Sequence, residues 1–421
     1  MNKIKALYIA GMLLVAAPAL AQKDSLQTYM EAAIRNNPAV IAEYKAYKAQ
    51  AISCLGAGQL NDPEVNIGVY PGGMQHVNVK QIMTVSVMQM FPWFGTLKNA
   101  KQMQMQKAEV AFQKFREDGV AIVYDVQRQW YQILATQEQI KAIEDNLKVL
   151  GDVKKIALYQ YTAASNKMNA KMSSQLRIEA EEVKLQEQIA SLKDKLELQK
   201  QQLNLFMHRS AESRVVLPDS MEVRELPAVN WAELEKNNPR LQMLEAEREM
   251  YRAQGEMAKN QGKPMFGVGV QYMLNSKVDM PMMESMNGKD MLMPMVKVTL
   301  PIYRKKTNAS VKAAELMQES TKYNYQRQQD VLRSAYLGIE QRAADAKREM
   351  ALYDKEMQLL DRTLELMRAE YATGATSLTD ILATSRETIN YALKKFEAQA
   401  KYNTIVAEYE KLATVYDYAV K

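Results

Sequence analysis

The side chains of this chain most able to do chemistry are its methionines, 29 in 421 residues. Met280, Met282, Met283, Met286, Met291, Met293 and Met295 crowd one interval, and Met83, Met88 and Met90 an earlier one. Thioethers are soft, neutral ligands that suit Cu(I) and Ag(I) and ignore hard ions. The competing reading is flexible apolar filler, since methionine is enriched along the whole chain. Other chemistry is hard to assemble. Cys54 is the single cysteine, which excludes an intrachain disulfide and a cysteine-based metal or redox centre. His76 and His208 lie far apart with no partner at metal spacing. Asp219 and Glu222 have no base or nucleophile beside them, and Gly267 and Gly269 alternate within a strand-like run with no helix start after them, so no phosphate loop forms. Neither an enzyme nor a cofactor site is expected. The net charge of +6 is interspersed with acids, as on a solvated helix surface, and nucleic acid is not an expected partner.

Both methionine-rich intervals lie between prolines, Pro63 and Pro92 in the first case and Pro264 and Pro301 in the second. Within the first, Val65, Ile67 and Val69 alternate with Asn66, Gly68 and Tyr70, Pro71-Gly72-Gly73 reads as a turn, and Val77, Val79, Met83, Val85 and Val87 alternate with Asn78, Lys80, Thr84 and Ser86. The second repeats the design in Phe266-Gly-Val-Gly-Val-Gln-Tyr272 and Met295-Val-Lys-Val-Thr-Leu300. This is the period of strands that show two different faces. Their length suits a bilayer, which takes about 9 to 11 tilted residues. Phe91, Trp93 and Phe94 supply aromatic residues of the kind that sit at a membrane interface.

The remainder reads as helix. Residues 1–21 have the basic start, short apolar run and Ala19-Leu20-Ala21 ending of an export signal. Residue 22 is Gln rather than Cys, so the lipid anchor found at that position in many envelope proteins is not expected. A helix from about Ser25 to Leu60 is interrupted at Asn36-Asn37-Pro38. From Thr96 to Tyr161, Val126, Ile133, Ile140 and Leu147 recur seven apart, with Ile143 and Leu150 on an adjoining row, a coiled-coil seam. At 1.5 Å per residue this rod is roughly 90 to 100 Å long. A turn at residues 161–166 returns the chain along Ile189, Leu196 and Leu203 to a connector at 208–230.

The pattern then starts again. Asn237-Asn238-Pro239 repeats Asn36-Asn37-Pro38, Lys263-Pro264 stands for Asp62-Pro63, and Tyr371-Ala-Thr-Gly374 for Tyr161-Thr-Ala-Ala164. Registered matches of this kind mark an internal duplication. The expected organisation is a signal peptide at 1–21, a first repeat at 22–207, the connector at 208–230 and a second repeat at 231–421. Four strands are too few to close a barrel, and an open edge in lipid leaves backbone groups unpaired at several kcal/mol each. The barrel must therefore be shared between chains. Three chains give twelve strands, the simplest closure, although the arithmetic also permits two.

The doubled layout resembles the TolC family of outer-membrane efflux channels over nearly the whole mature chain. It does so through Asn36-Asn37-Pro38 with Asn237-Asn238-Pro239, Gln89-Met-Phe-Pro-Trp-Phe-Gly95, and Tyr371-Ala-Thr-Gly-Ala-Thr-Ser-Leu-Thr-Asp-Ile-Leu382. The resemblance implies a mainly α fold with a β-barrel contribution: a homotrimer with a twelve-stranded outer-membrane β-barrel and an α-helical barrel in the periplasm. It also implies docking through a periplasmic adaptor protein to an inner-membrane pump, of the RND type. In that family the turn matching residues 371–382 closes the periplasmic mouth, which makes Tyr371, Gly374, Thr376 and Asp380 candidate gate residues. Thr376 stands where the family has an arginine and Ala383 where it has a second aspartate. Three copies of Asp380 would form a carboxylate ring favouring cations; the plainer role for Asp380 is a carboxylate in the first turn of a helix. The segment at residues 89–95 is most similar to the heavy-metal branch, so copper or silver is the leading cargo. Drug or bile-salt efflux, a type I secretion duct, and a structural coiled-coil envelope protein are the alternatives.

Overall fold

The structure, a computed structural model, describes residues 26–163 and 172–416. The export signal, residues 164–166 of the expected first turn and residues 167–171 lie outside the described residues. Each repeat runs short helix, second helix, β-strand, β-strand, long helix, returning helix. In the first these are α1 (Leu26–Asn36), α2 (Pro38–Gly56), β1 (Glu64–Gln75), β2 (Lys80–Phe91), α3 (Thr96–Ala163) and α4 (Met172–Phe206). In the second they are α5 (Trp231–Asn237), α6 (Pro239–Gln261), β3 (Met265–Ser276), β4 (Met291–Thr299), α7 (Arg304–Thr373) and α8 (Leu378–Ala413). Residues 207–230 between them contain neither helix nor strand. At 68 and 70 residues, α3 and α7 are each about 100 Å long.

The repeated Asn-Asn-Pro does the same work twice. Asn37 caps α2, accepting from the Ala39 N–H, while Asn238 caps α6, accepting from the Leu241 N–H, and in both helices proline fills the first turn, where its missing N–H costs nothing. Each amide then donates across the fold to the end of its repeat's returning helix, Asn37 to the Phe206 carbonyl at 3.0 Å and Asn238 to the Leu412 carbonyl at 3.4 Å. His208 and Thr414, just beyond those helix ends, are the non-glycine residues with positive φ among those described. The two halves of the chain thus end their returning helices in the same backbone conformation.

The heptad rows are buried as expected. Val126, Ile133 and Ile143 are completely buried, Leu150 nearly so, and Ile189 and Leu203 face them from α4. In the middle of the rod Tyr29, Trp130, Tyr131, Leu203 and Met207 form the largest core, closed by Val215 and Met221 of the connector. Arg224 locks the connector onto the second repeat: its guanidinium donates to both carboxylate oxygens of Glu410 and, at 3.2 Å, to the Tyr131 hydroxyl. The Asn403 side chain holds the same connector segment, donating to the Glu222 carbonyl and accepting from the Arg224 N–H.

The strands form a single antiparallel sheet in the order β1-β2-β3-β4, so the two hairpins pair directly through β2 and β3. Two expectations need correction here. The first hairpin does not turn at Pro71-Gly72-Gly73, because β1 continues to Gln75 and the chain reverses at residues 76–79, where the His76 N–H donates to the Val79 carbonyl. Gly72 and Gly73, with φ of 87° and 73°, instead shift the register between Val69 and Met74 as a bulge, which glycine permits at no steric cost. Likewise, α2 ends at Gly56 rather than near Leu60, leaving an extended lead into Pro63.

Candidate functional site

Strand register sorts the sheet into two faces. Val65, Ile67 and Val69 of β1 pair with Val87, Val85 and Met83 of β2. Those residues pair in turn with Val270, Tyr272 and Leu274 of β3, and Val268, Val270 and Tyr272 meet Val296, Pro294 and Leu292 of β4. This face is apolar and exposed, with Ile67 at 66 %, Leu292 at 68 % and Val296 at 77 %. The other face carries Asn66, Thr84, Ser86, Gln271 and Lys297. An apolar outer band over a polar interior is the pattern of a transmembrane barrel strand. At the helix end of the sheet, Trp93 lies 6.0 Å from Phe94 and 6.1 Å from Phe266, with the Lys263 ammonium 5.5 Å over its ring, while Phe94 and Tyr303 stand out at 86 % and 81 % exposed. Such a belt fits a membrane interface. Among the described residues no helix is long and apolar enough to cross a membrane.

Below the sheet the helices form an open ribbon. The α3 rod packs on α2 and α6 near the sheet and on α4 and α8 further away, and α7 packs on α6 and then α8. This leaves α2 and α4 along one edge and α7 along the other, as β1 and β4 are the edges of the sheet. The edges are apolar at heptad spacing. Leu352, Leu359 and Leu366 of α7 are 53 %, 53 % and 66 % exposed, and Leu176, Val183, Leu198 and Leu205 of α4 are similarly bare.

At the far end the expected gate residues come together at the α7–α8 turn. Tyr371 is buried among Leu364, Leu378, Ile381 and Leu382. Burial pushes its hydroxyl pKa up. Gly374 ends α7 in the left-handed conformation, φ 82°, and its N–H bonds to the Tyr371 carbonyl. The Thr376 hydroxyl donates to Glu370 at 2.6 Å. Ser377 and Asp380 form a capping box at the start of α8: the Asp380 N–H donates to Ser377 Oγ, and the Ser377 hydroxyl donates to the Asp380 carboxylate at 2.7 Å.

Sequence reasoning missed the charged contacts that tie this hairpin to the other repeat. Arg386 of α8 donates from Nε and Nη2 to the two carboxylate oxygens of Glu181 of α4, at 2.9 and 2.5 Å. Arg386 holds Glu181 below the usual carboxylate range. Arg368 of α7 reaches Asp152 of α3 at 3.1 Å, and Arg177 of α4 donates to Thr379 at 3.0 Å. Sequence spacing carries no signal for pairs 202 to 216 residues apart; only the packing of the hairpins brings them together.

The methionine set divides. Met280, Met282, Met283 and Met286 lie in the outer loop, residues 277–290, all exposed. Met291, Met293 and Met295 are not loop residues but lie in β4, because the strand starts at Met291. The loop is pinned by Asn287, whose side chain bonds both the N–H and the carbonyl of Val278, and by Asn78 of the first hairpin, which accepts from the Met283 N–H at 2.8 Å. Cys54 is half-buried on α2, and the described residues hold no cluster of His, Cys, Asp and Glu able to bind a metal. Pro63, Pro92, Pro264 and Pro301 stand just outside the strands they were expected to bound.

The fold is thus mainly helical, with one four-stranded antiparallel sheet. Residues 231–413 match the family described as outer membrane efflux protein. Solved structures share the fold across both repeats. CusC, described in terms of folding and transmembrane channel formation, is 16 % identical with a TM-score of 0.74, over 92 % of this chain and 91 % of its own. The outer membrane protein VceC of Vibrio cholerae is 12 % identical with a TM-score of 0.71, over 92 % and 96 %. The open state of the MtrE outer membrane channel of Neisseria gonorrhoeae is 14 % identical with a TM-score of 0.68, over 92 % and 88 %. No curated protein matches the sequence.

Proposed function

We propose that the protein is the outer-membrane exit duct of a tripartite efflux system, passively conducting cargo from the periplasm to the exterior. The observation that carries this reading is the two-faced sheet with open edges at β1 and β4, continuous with a helical ribbon whose own edges bear bare heptad leucines. The simplest closure that satisfies both is three copies side by side, with β4 and α7 of one against β1 and the α2/α4 edge of the next. Twelve strands then leave no unpaired edge in lipid, and the leucine rows of α4 and α7 become interchain seams. The helical barrel lies in the periplasm and meets an adaptor protein and an RND-type inner-membrane pump, which supplies the energy.

In this reading the α7–α8 turn is the periplasmic gate, with Tyr371, Gly374, Thr376 and Asp380 at the mouth. The Arg386–Glu181 and Arg368–Asp152 pairs hold the two hairpins of each chain together. The cargo is a soft or heavy metal cation such as copper or silver, supported by the methionine content of the barrel segment. The duct reading is tested on protein extracted in detergent. A heat-modifiable trimer on a gel and discrete conductance in planar bilayers are expected, whereas a soluble protein without conductance would refute it.

A further inference from the structure

The polar face of the sheet is not simply polar. By register it carries Met88 and Met90 of β2, Met265 and Met273 of β3, and Met291, Met293 and Met295 of β4, while Met83 lies on the apolar face. Rows across the sheet place these thioethers near one another. Glu64, Met88, Gly269 and Met295 form one row, Asn66, Ser86, Gln271 and Met293 the next, and Gly68, Thr84, Met273 and Met291 the third. Met90, Gly267 and Lys297 form the next row toward the helices, and Met265 with Thr299 the last.

The glycines in these rows lie against the thioethers. A Cβ on Gly267 would stand 2.5 Å from Met90 Sδ, and one on Gly269 would stand 2.6 Å from the Val87 carbonyl oxygen and 3.2 Å from the Met88 methyl group. The Met88 methyl thus lies against Gly269. Met88 and Met295 sit two strands apart in the same row, about 9.6 Å across the sheet, with only the bare glycine between them. Along β4 the thioethers of Met291, Met293 and Met295 repeat every second residue, about 6.7 Å.

We propose that this face is a ladder of thioether sites for soft monovalent cations, Ag(I) and Cu(I), lining the barrel interior. The proposal rests on the duct reading, which turns this face inward. Neutral sulfurs bind soft ions without competing for the hard ions that abound outside the cell. Several weak, closely spaced sites suit passage, since binding must be favourable enough to admit an ion and weak enough to release it. Glu64 adds a carboxylate to the Met88–Met295 row, whereas Lys297 sits one row toward the periplasm and opposes cation entry there. The exposed loop methionines, Met280, Met282, Met283 and Met286, lie outside the ladder.

The test uses the full chain with Cys54→Ser, which removes the one thiol, in planar bilayers bathed in potassium nitrate. Absence of conductance refutes the duct itself, before any silver is added. With conductance present, micromolar silver nitrate is expected to block the current reversibly. Replacing Met88, Met293 and Met295 together by leucine keeps apolar volume and is expected to raise the blocking concentration by about tenfold or more. Met295→Leu alone, on the edge strand, gives a smaller shift and serves if the triple variant does not insert. Leucine at Met280, Met282, Met283 and Met286 should leave block unchanged. A conducting channel indifferent to silver, equal block in the ladder variants, or block lost only in the loop variant would each overturn the ladder.

Discussion

The charged contacts between the two helical hairpins make a quantitative prediction, because the two pairs differ in burial. Glu181 is 7 % exposed and receives two hydrogen bonds from Arg386, while Asp152 and Arg368 are 47 % and 32 % exposed and share one. Arg386→Ala leaves a buried carboxylate without its partner, at about 1.5–3 kcal/mol for a charged hydrogen bond. Arg368→Ala removes a solvent-screened pair worth about 0.2–1 kcal/mol, and Asp152 keeps Lys155 at 3.0 Å. If the hairpins must separate for the duct to open, Arg386→Ala raises the open population by about tenfold to a hundredfold and Arg368→Ala by several-fold at most. Single-channel recording at neutral pH measures both. The pH dependence has a definite sign. Glu181 is held below its ordinary value of 4.5, so its contribution is complete above that pH and is lost as pH falls through the lowered value. Wild-type channels should therefore open more in acid, and Arg386→Ala should lack that step. Opening by Arg368→Ala but not Arg386→Ala would refute the reasoning, as would an acid response that survives Arg386→Ala.

Three further outcomes are expected. Asp380→Ala should lower the cation-to-anion permeability ratio measured from reversal potentials in a salt gradient, whereas Ser377→Ala, which removes only the cap at about 1 kcal/mol, should not; equal effects would reduce Asp380 to its capping role. Arg224→Met leaves the Glu410 carboxylate, 6 % exposed, without its guanidinium partner, although the Gln127 amide still donates to it at 2.8 Å, and should lower stability by about 3–5 kcal/mol in thermal unfolding, with partial recovery when Glu410→Gln is added. Asn37→Ala and Asn238→Ala should each cost about 1–2 kcal/mol by the same assay, and their effects should add because the two caps are in different repeats.

Much of the architecture was legible in the residues. Strand alternation between the four prolines, heptad rows at Val126, Ile133 and Ile140, and the paired Asn-Asn-Pro breaks are local or periodic patterns, and local patterns survive into structure because the backbone obeys them residue by residue. The turn of the first hairpin was misplaced because Pro71-Gly72-Gly73 suits a reversal and a bulge equally well; the pairing of Gln75 with Lys80 decided between them. Likewise, sequence could show that methionines crowd two intervals, but it could not divide them between a loop and a strand face.

What the sequence by itself determined was the duplication, the alternation of helical rods with two-faced strands, and the need for shared edges, since an isolated four-stranded sheet cannot satisfy its backbone in lipid. What only the tertiary structure decided was which distant residues come together: Arg386 with Glu181 and Arg224 with Glu410 as ion pairs, and Met88 and Met295 in one row on either side of Gly269. The physical reason is that a charge pair or a cross-strand row depends on helix rotation and strand register. A one-residue slip in register would move every one of those methionines to the apolar face.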